Sequence, residues 1–319
     1  MSRALVTGAA GFIGSHLCDA LLARGDDVLG VDCFTDNYSP ARKRANLIDA
    51  LAAGLEFRRL DLSCDPLDPV LKGIDVVYHL AGQPGVRSSW GDDFNAYARR
   101  NLLATQRLLE ATLRAAGPRF VFASSSSVYG NTGDQPAQES DRPAPVSPYG
   151  LTKAACEELL AVYRRVHGLS AVSLRYFTAY GPRQRPEMAF ASFIRAVLSS
   201  RALHVLGDGH QTRDFTYVTD AVAATIAAAE LGAEPVYNIS GGTSSTLLGA
   251  ITQIEQLTEQ SALISFSPSA RGDAYRTSAD LTAAERDLGY GPKVSLREGL
   301  ALQIHAAKSE PVELAEAVA

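Results

Sequence analysis

The octapeptide TGAAGFIG, residues 7–14, restricts this chain more than any other stretch. An apolar run, ALVTGA, leads into it, and an amphipathic run, FIGSHLCDALLARG, leads out to a stop at Gly25. A strand followed by glycines at 8, 11 and 14 and then a helix reads as a dinucleotide cradle. Gly8 permits the tight turn, Gly11 lets backbone approach a pyrophosphate, and Gly14 lets helix and strand close on each other. The phosphates then meet the free N–H groups and positive end of the helix. The next strand, DVLGVD, ends in Asp32, eighteen residues beyond Gly14. A carboxylate there accepts from the adenosine ribose hydroxyls and repels a 2′-phosphate, which points to NAD rather than NADP. The run ARKR at 41–44 is the opposing signal: it reads either as a grip for a 2′-phosphate or, as such runs more often are, as a solvated face. Asp61, after a further strand, reads equally as an adenine contact and as a strand-end cap.

Strand and helix signals alternate through the first 175 residues. LEFRRLDL, IDVVYHLAG, RFVFASSS and LSAVSLRYF read as strands, and the long stretches ending at Gly117 and Gly168 read as helices. Strands separated by helix-length segments mean βαβ units. The expected fold class is therefore α/β: a Rossmann-type doubly wound parallel sheet, with a smaller α/β substrate-binding domain. The first domain is expected over 1–176 plus about 236–242, where VYNISGG returns to the sheet. The second is expected over about 177–235 and 265–319, where the rhythm breaks into longer polar loops. The last eleven residues read as frayed. A net charge of −5 with no basic block argues against nucleic acid, so an anionic ligand has to be held by local arginines and backbone amides. No apolar run reaches the roughly eighteen residues of a membrane span, and the N-terminus enters a strand at once, which leaves no room for a signal peptide. The four cysteines, 18, 33, 64 and 156, lack metal-ligand spacing; no metal is expected, and they read as reduced thiols of a cytoplasmic protein.

SPYGLTKAACEELL places Tyr149 and Lys153 at i and i+4, on one helix face. An ammonium a few ångströms from a phenol favours the phenolate, and a phenol so tuned can take a proton from a substrate hydroxyl while hydride leaves the same carbon. FASSSSVYG, at a strand end, offers a hydroxyl to orient the reacting oxygen. Together with HLAGQPGVR, NLLATQRLLEA, RYFTAYGP and GDGHQTRDFTYVTD, in order from residue 3 to about 305, these motifs resemble the extended short-chain dehydrogenase/reductases. They are most similar to the nucleotide-sugar epimerases, dehydratases and decarboxylases. The resemblance implies a tightly held NAD, a triad of Ser125, Tyr149 and Lys153, and a nucleoside-diphosphate sugar. Along the dinucleotide it implies Gly8, Gly11, Phe12, Ile13, Gly14, Asp32, Asp61, Leu62, Leu80, Ala81, Gly82, Asn101, Ala123 and Tyr176, besides Tyr149 and Lys153. For the sugar nucleotide it implies Val86 and Arg87 beside the sugar, Arg213 and Arg271 at the diphosphate and Asp273 at the uridine ribose. Ser126 and Ser127 stand where dehydratases carry an acid and a base, which argues against sugar dehydration.

The segment LRYFTAYGPRQRPEMAF, 174–190, carries the choice of sugar. Neutral-sugar epimerases and decarboxylases of the family carry Asn where this chain has Thr178. The continuation YGPRQRPEMAF resembles UDP-glucuronate 4-epimerases. Thr178, the Ser126 and Ser127 hydroxyls and Arg185 form a plausible cradle for a sugar carboxylate, since charge-assisted hydrogen bonds are the strong ones. Arg183 is expected to face solvent or the turn. The reading is NAD-dependent C4 epimerisation of a UDP-sugar, with UDP-glucuronate first. UDP-glucose or its N-acetyl analogue comes next, then UDP-glucuronate decarboxylation, and a non-catalytic NAD-binding regulator is the reading from another class. Apolar residues on more than one face of the helices expected near 95–116 and 150–167 point to a homodimer.

Overall fold

The computed structural model describes residues 2–310. Seven parallel strands form the central sheet: β1 (Arg3–Thr7), β2 (Asp27–Asp32), β3 (Glu56–Arg59), β4 (Val76–His79), β5 (Arg119–Ser125), β6 (Ala171–Tyr176) and the late strand Val236–Ile239. Their order, Val236–Ile239, β6, β5, β4, β1, β2, β3, reverses direction between β1 and β4. A crevice therefore opens at the carboxyl ends of those two strands. Each strand expected from its apolar run is present. β6 is buried along its whole length, as a central strand covered on both faces must be.

Helix α1 (Phe12–Ala23) covers one face together with the helices Val218–Leu231 and Thr282–Leu288, and Leu17, Ala224 and Ala284 pack into one core with Val6 and Leu174. The helices Ala104–Arg114 and Pro148–His167 cover the other face, where Leu108 and Leu160 pack with Leu5 and Phe122. A third core, with Phe190, Ile194, Val205, Ile251 and Leu300, lies beyond the sheet in a smaller lobe built on the helices Ala189–Leu198, Leu247–Thr258 and Leu296–Lys308.

Two boundaries differ from the sequence reading. Val218–Leu231 and Thr282–Leu288, expected in the smaller lobe, pack on the central sheet, because small alanine side chains let a helix lie close against it. Leu247–Thr258, left unassigned, belongs to the third core through Ala250, Ile251 and Ile254. Of the tail read as frayed, 311–319 lie outside the described residues, whereas Glu310 is anchored by an ion pair to Arg42 at 2.8 Å. Among the described residues no helix is long and apolar enough to cross a membrane.

Candidate active site

Gly8 adopts φ +71°, and a Cβ on Gly14 would stand 2.1 Å from the Gly8 carbonyl oxygen. Only glycines allow β1 and the start of α1 to approach in this way. The turn opens into a cavity of about 440 Å³ that runs across the carboxyl edge of the sheet. Near its cofactor end stands Asp32. One carboxylate oxygen accepts from the Phe34 N–H at 2.7 Å and the other from the Ala10 N–H at 3.3 Å. Burial pushes this carboxyl above its ordinary range, while those N–H groups and the charge of Lys43 pull it back.

The run ARKR does not form the solvated face that such runs usually form. Arg42 and Lys43 are buried, and of the three basic residues only Arg44 is exposed. Lys43 Nζ donates to Thr35 O at 2.7 Å, Thr35 Oγ1 at 2.6 Å and Asn37 Oδ1 at 2.8 Å, and it lies 4.6 Å over the Tyr38 ring. It folds the 33–38 loop into a cavity wall that Thr35, Asn37, Tyr38 and Lys43 itself line. None of these four was singled out in the sequence as a cofactor contact. Three basic residues in a row carried the signal for Lys43 without saying which would turn inward.

At the other end the Pro148–His167 helix begins. Ser147 caps it, its hydroxyl accepting from the Gly150 N–H at 3.1 Å, and Pro148 fits the first helical position. A Cβ on Gly150 would stand 2.4 Å from Ser127 O, so a glycine there lets the helix start rest against the serine run. Tyr149 is thereby brought to the cavity wall with Ser125. The Ser125 hydroxyl accepts from the Ser127 N–H at 3.1 Å. Lys153, one turn on, donates to Ala123 O at 2.7 Å and lies 4.7 Å over the Phe122 ring.

Behind these groups lies a second layer. His79 is fully buried between Thr7 Oγ1 at 2.8 Å and Thr105 Oγ1 at 2.9 Å. Burial, helped by the Lys153 charge, pushes the ring down to about 3, so it is a neutral spacer.

The cavity wall contains the expected Gly8, Gly11, Phe12, Ile13, Gly14, Asp32, Asp61, Leu62, Leu80, Ala81, Gly82, Ala123 and Tyr176. On the sugar side it contains Val86, Ser125, Ser126, Ser127, Tyr149, Lys153, Thr178 and Arg185. Asp61 lines the cavity and caps its own turn, accepting from the Ser63 N–H at 2.8 Å.

Five expected contacts stand off the wall. Asn101 lies in a π-helical stretch, Ala98–Leu103, and is buried behind Gly82, its Oδ1 accepting from the Gln83 N–H at 2.7 Å and its Nδ2 donating to Thr152 Oγ1 at 2.9 Å. It props the wall rather than forming it. Arg87 and Asp273 are engaged with each other at 2.9 Å. Arg213 is turned to the backbone of the 274–275 loop, donating to Tyr275 O at 3.1 Å and to Ala274 O. Arg271 is exposed on the same loop.

Arg185 is a cation on the sugar side of the wall, with Lys153. Its Nε lies 3.3 Å from Glu187, and its Nη1 is buried with no hydrogen-bond partner among the described residues. A buried guanidinium N–H without an acceptor is costly unless a ligand supplies one. Arg183, two residues earlier, faces away from this cavity to Asp19 at 2.6 Å and Asp49 at 3.4 Å.

The cavity suits a dinucleotide: a glycine turn at a helix start, a carboxylate at the end of the second strand, and a single cavity that runs from there to Tyr149. A crevice that joins such a cradle to a phenol beside a serine hydroxyl and a lysine is that of an NAD-dependent enzyme working on a hydroxyl-bearing carbon. The chain belongs to the NAD dependent epimerase/dehydratase family, whose sequence model matches residues 4–240. A Bacillus subtilis protein, YtcB, described as an uncharacterized UDP-glucose epimerase, is 43% identical over 307 residues, 95% of this chain and 96% of its own. UDP-glucuronate 4-epimerase 3 of Arabidopsis thaliana is 36% identical over 321 residues, 93% of this chain and 74% of its own. The crystal structure of a Bacillus cereus UDP-glucuronic acid 4-epimerase with UDP-glucuronic acid and NAD superposes with a TM-score of 0.92 at 42% identity, covering 96% of this chain and 99% of that one.

Proposed function

We propose that this chain interconverts UDP-glucuronate and UDP-galacturonate by inversion at C4. The observation that carries the choice of sugar is the unpaired Nη1 of Arg185, buried on the same cavity wall as Thr178, Ser126 and Ser127. Three hydroxyls and a guanidinium make a cradle for a C6 carboxylate, whereas a neutral hydroxymethyl group would give the buried Nη1–H a weaker, uncharged acceptor. The Bacillus cereus and Arabidopsis relatives, named for glucuronate, support the same reading.

Bound NAD supplies a reversible hydride acceptor, so the cycle closes without net redox change. Tyr149 takes the C4 hydroxyl proton and later returns it, with the Ser125 hydroxyl orienting that oxygen and Lys153 holding its ammonium one helical turn away. The 4-keto sugar turns over within the cavity while its diphosphate stays anchored. That intermediate is a β-keto acid, which loses CO₂ most easily when the carboxylate bond stands perpendicular to the carbonyl plane. Fixing the carboxylate therefore protects the intermediate as well as binding the substrate.

Arg185→Ala tests this. A hydrogen bond to a charged partner contributes about 1.5–3 kcal/mol, so affinity for UDP-glucuronate should fall roughly ten- to a hundred-fold while UDP-glucose affinity holds. Product analysis by NMR should also find a UDP-pentose that the parent makes only in traces. Unchanged handling of UDP-glucuronate by Arg185→Ala, or a parent that prefers UDP-glucose, removes the carboxylate contact and leaves neutral-sugar epimerisation, the activity YtcB is named for.

The working unit is a homodimer in the cytoplasm. Leu151, Val162 and Val166 are exposed on the Pro148–His167 helix, and Leu103 is exposed at the end of the π-helical stretch that leads into Ala104–Arg114. A second copy covering both helices accounts for apolar side chains that the sheet does not use. Light scattering at micromolar concentration should return twice the chain mass, and a monomer would exclude that pairing. The four cysteines, all unpaired, suit a reducing compartment.

A further inference from the structure

The turn 181–186 has one residue on the cavity wall, Arg185, and the rest of the turn is fixed from the other side. Two of the fixings come from α1, the helix whose start forms the dinucleotide cradle. His16 Nε2 lies 3.0 Å from Pro182 O. A carbonyl only accepts, so the ring must carry its proton on Nε2 to make this bond. One turn further along α1, Asp19 holds Arg183 at 2.6 Å. Arg183 has φ +62°, a left-handed backbone that a long side chain rarely adopts without support. Gln184 completes the frame from the smaller lobe: buried, it donates to Ala179 O at 3.1 Å and accepts from the Ala191 N–H at 3.0 Å and Gln303 Nε2 at 2.8 Å. Arg183 thus differs from its sequence expectation. Its guanidinium reaches away from the turn to Asp19 and Asp49, as a tether rather than a bystander.

We infer that His16, Asp19 and Arg183 are positioning residues for Arg185: they fix the backbone two residues before it and so direct its guanidinium at the sugar carboxylate. The inference rests on the carboxylate reading of Arg185. Its consequence is that the helix that binds the cofactor also sets which sugar is accepted, through groups that touch neither ligand.

The test uses NAD-loaded Asp19→Asn and Arg183→Met, with Arg183→Lys as the conservative partner. Calorimetry gives the affinities for UDP-glucuronate and UDP-glucose, NMR gives the UDP-pentose yield, and nucleotide released on heating reports folding. Residues coupled to a ligand that they do not touch usually shift affinity roughly three- to thirty-fold. That loss is expected for UDP-glucuronate and not for UDP-glucose, with more UDP-pentose, and Arg183→Lys should recover most of it. In an Arg185→Ala background Asp19→Asn should add nothing, because both changes act on one contact. Equal weakening of the two UDP-sugars, or losses that add to those of Arg185→Ala, overturns the clamp even where Arg185→Ala alone behaves as proposed. An Arg185→Ala variant indifferent to the carboxylate overturns both. Should Arg183→Met fold poorly, the isosteric Asp19→Asn decides alone.

Discussion

Tyr149→Phe is expected to lower turnover by about 10²–10⁴-fold, the usual span for a positioned acid–base group, while bound nucleotide and sugar affinity persist. The ring is half-buried at the helix start, edge-on to Tyr97 at 6.3 Å, so the phenyl group keeps its place and only the proton carrier is lost. The measurement is single-turnover conversion of the UDP-sugar beside a calorimetric titration of its binding. Turnover within a few-fold of the parent would exclude Tyr149 as the proton carrier. Loss of binding in parallel with turnover would mean that the hydroxyl holds the substrate instead.

Arg175→Met is expected to remove about 3–5 kcal/mol of stability, because it leaves a buried carboxylate without its partner. The side chains of Arg175 and Glu157 are only 4% and 8% exposed and meet at 2.7 Å. Arg175 also donates to Tyr129 Oη at 2.7 Å, Tyr129 donates to Asn238 Oδ1 at 2.7 Å, and the Ser124 hydroxyl donates to Glu157. This chain of bonds joins β5, β6, the triad helix and the late strand directly beneath Ser125. The single variant should lower the urea unfolding midpoint sharply, and Arg175→Met combined with Glu157→Leu should recover most of the loss. A single variant within about 1 kcal/mol of the parent would show that the carboxylate finds another partner or a proton.

Features written in adjacent residues were legible from the sequence: the glycine turn, Asp32, the Tyr149/Lys153 pair, and the seven strands, all but Glu56–Arg59 as apolar runs. What escaped depends on partners far along the chain. Whether Lys43 turns inward depends on Thr35 and Asn37 folding back over it, and ARKR alone cannot express that. The allegiance of Val218–Leu231 depends on which surface accepts its alanines. Arg87 looked like a sugar contact until Asp273, 186 residues away, arrived beside it. The place of Asn101 behind the wall follows from a π-helical stretch that a 3.6-residue period does not reveal.

The segment from Thr178 to Met188 contributes no rung to the central sheet; the last main-chain bond before it joins Phe177 to Ile239. Tyr149, Lys153 and Ser125, by contrast, are built into elements whose displacement would break the core: Lys153 is tied to β5 and Glu157 to β6. The two parts are therefore exposed to different evolutionary constraint. Drift in the elements that carry Tyr149, Lys153 and Ser125 endangers the central sheet, whereas drift at the turn that carries Arg185 leaves that sheet intact, with Ala179 and Tyr180 before it held in the third core. A lineage built on this scaffold can acquire a new sugar through a handful of substitutions in one peripheral turn and keep its chemistry intact. Relatives so alike in architecture can accordingly bear the names of different UDP-sugars.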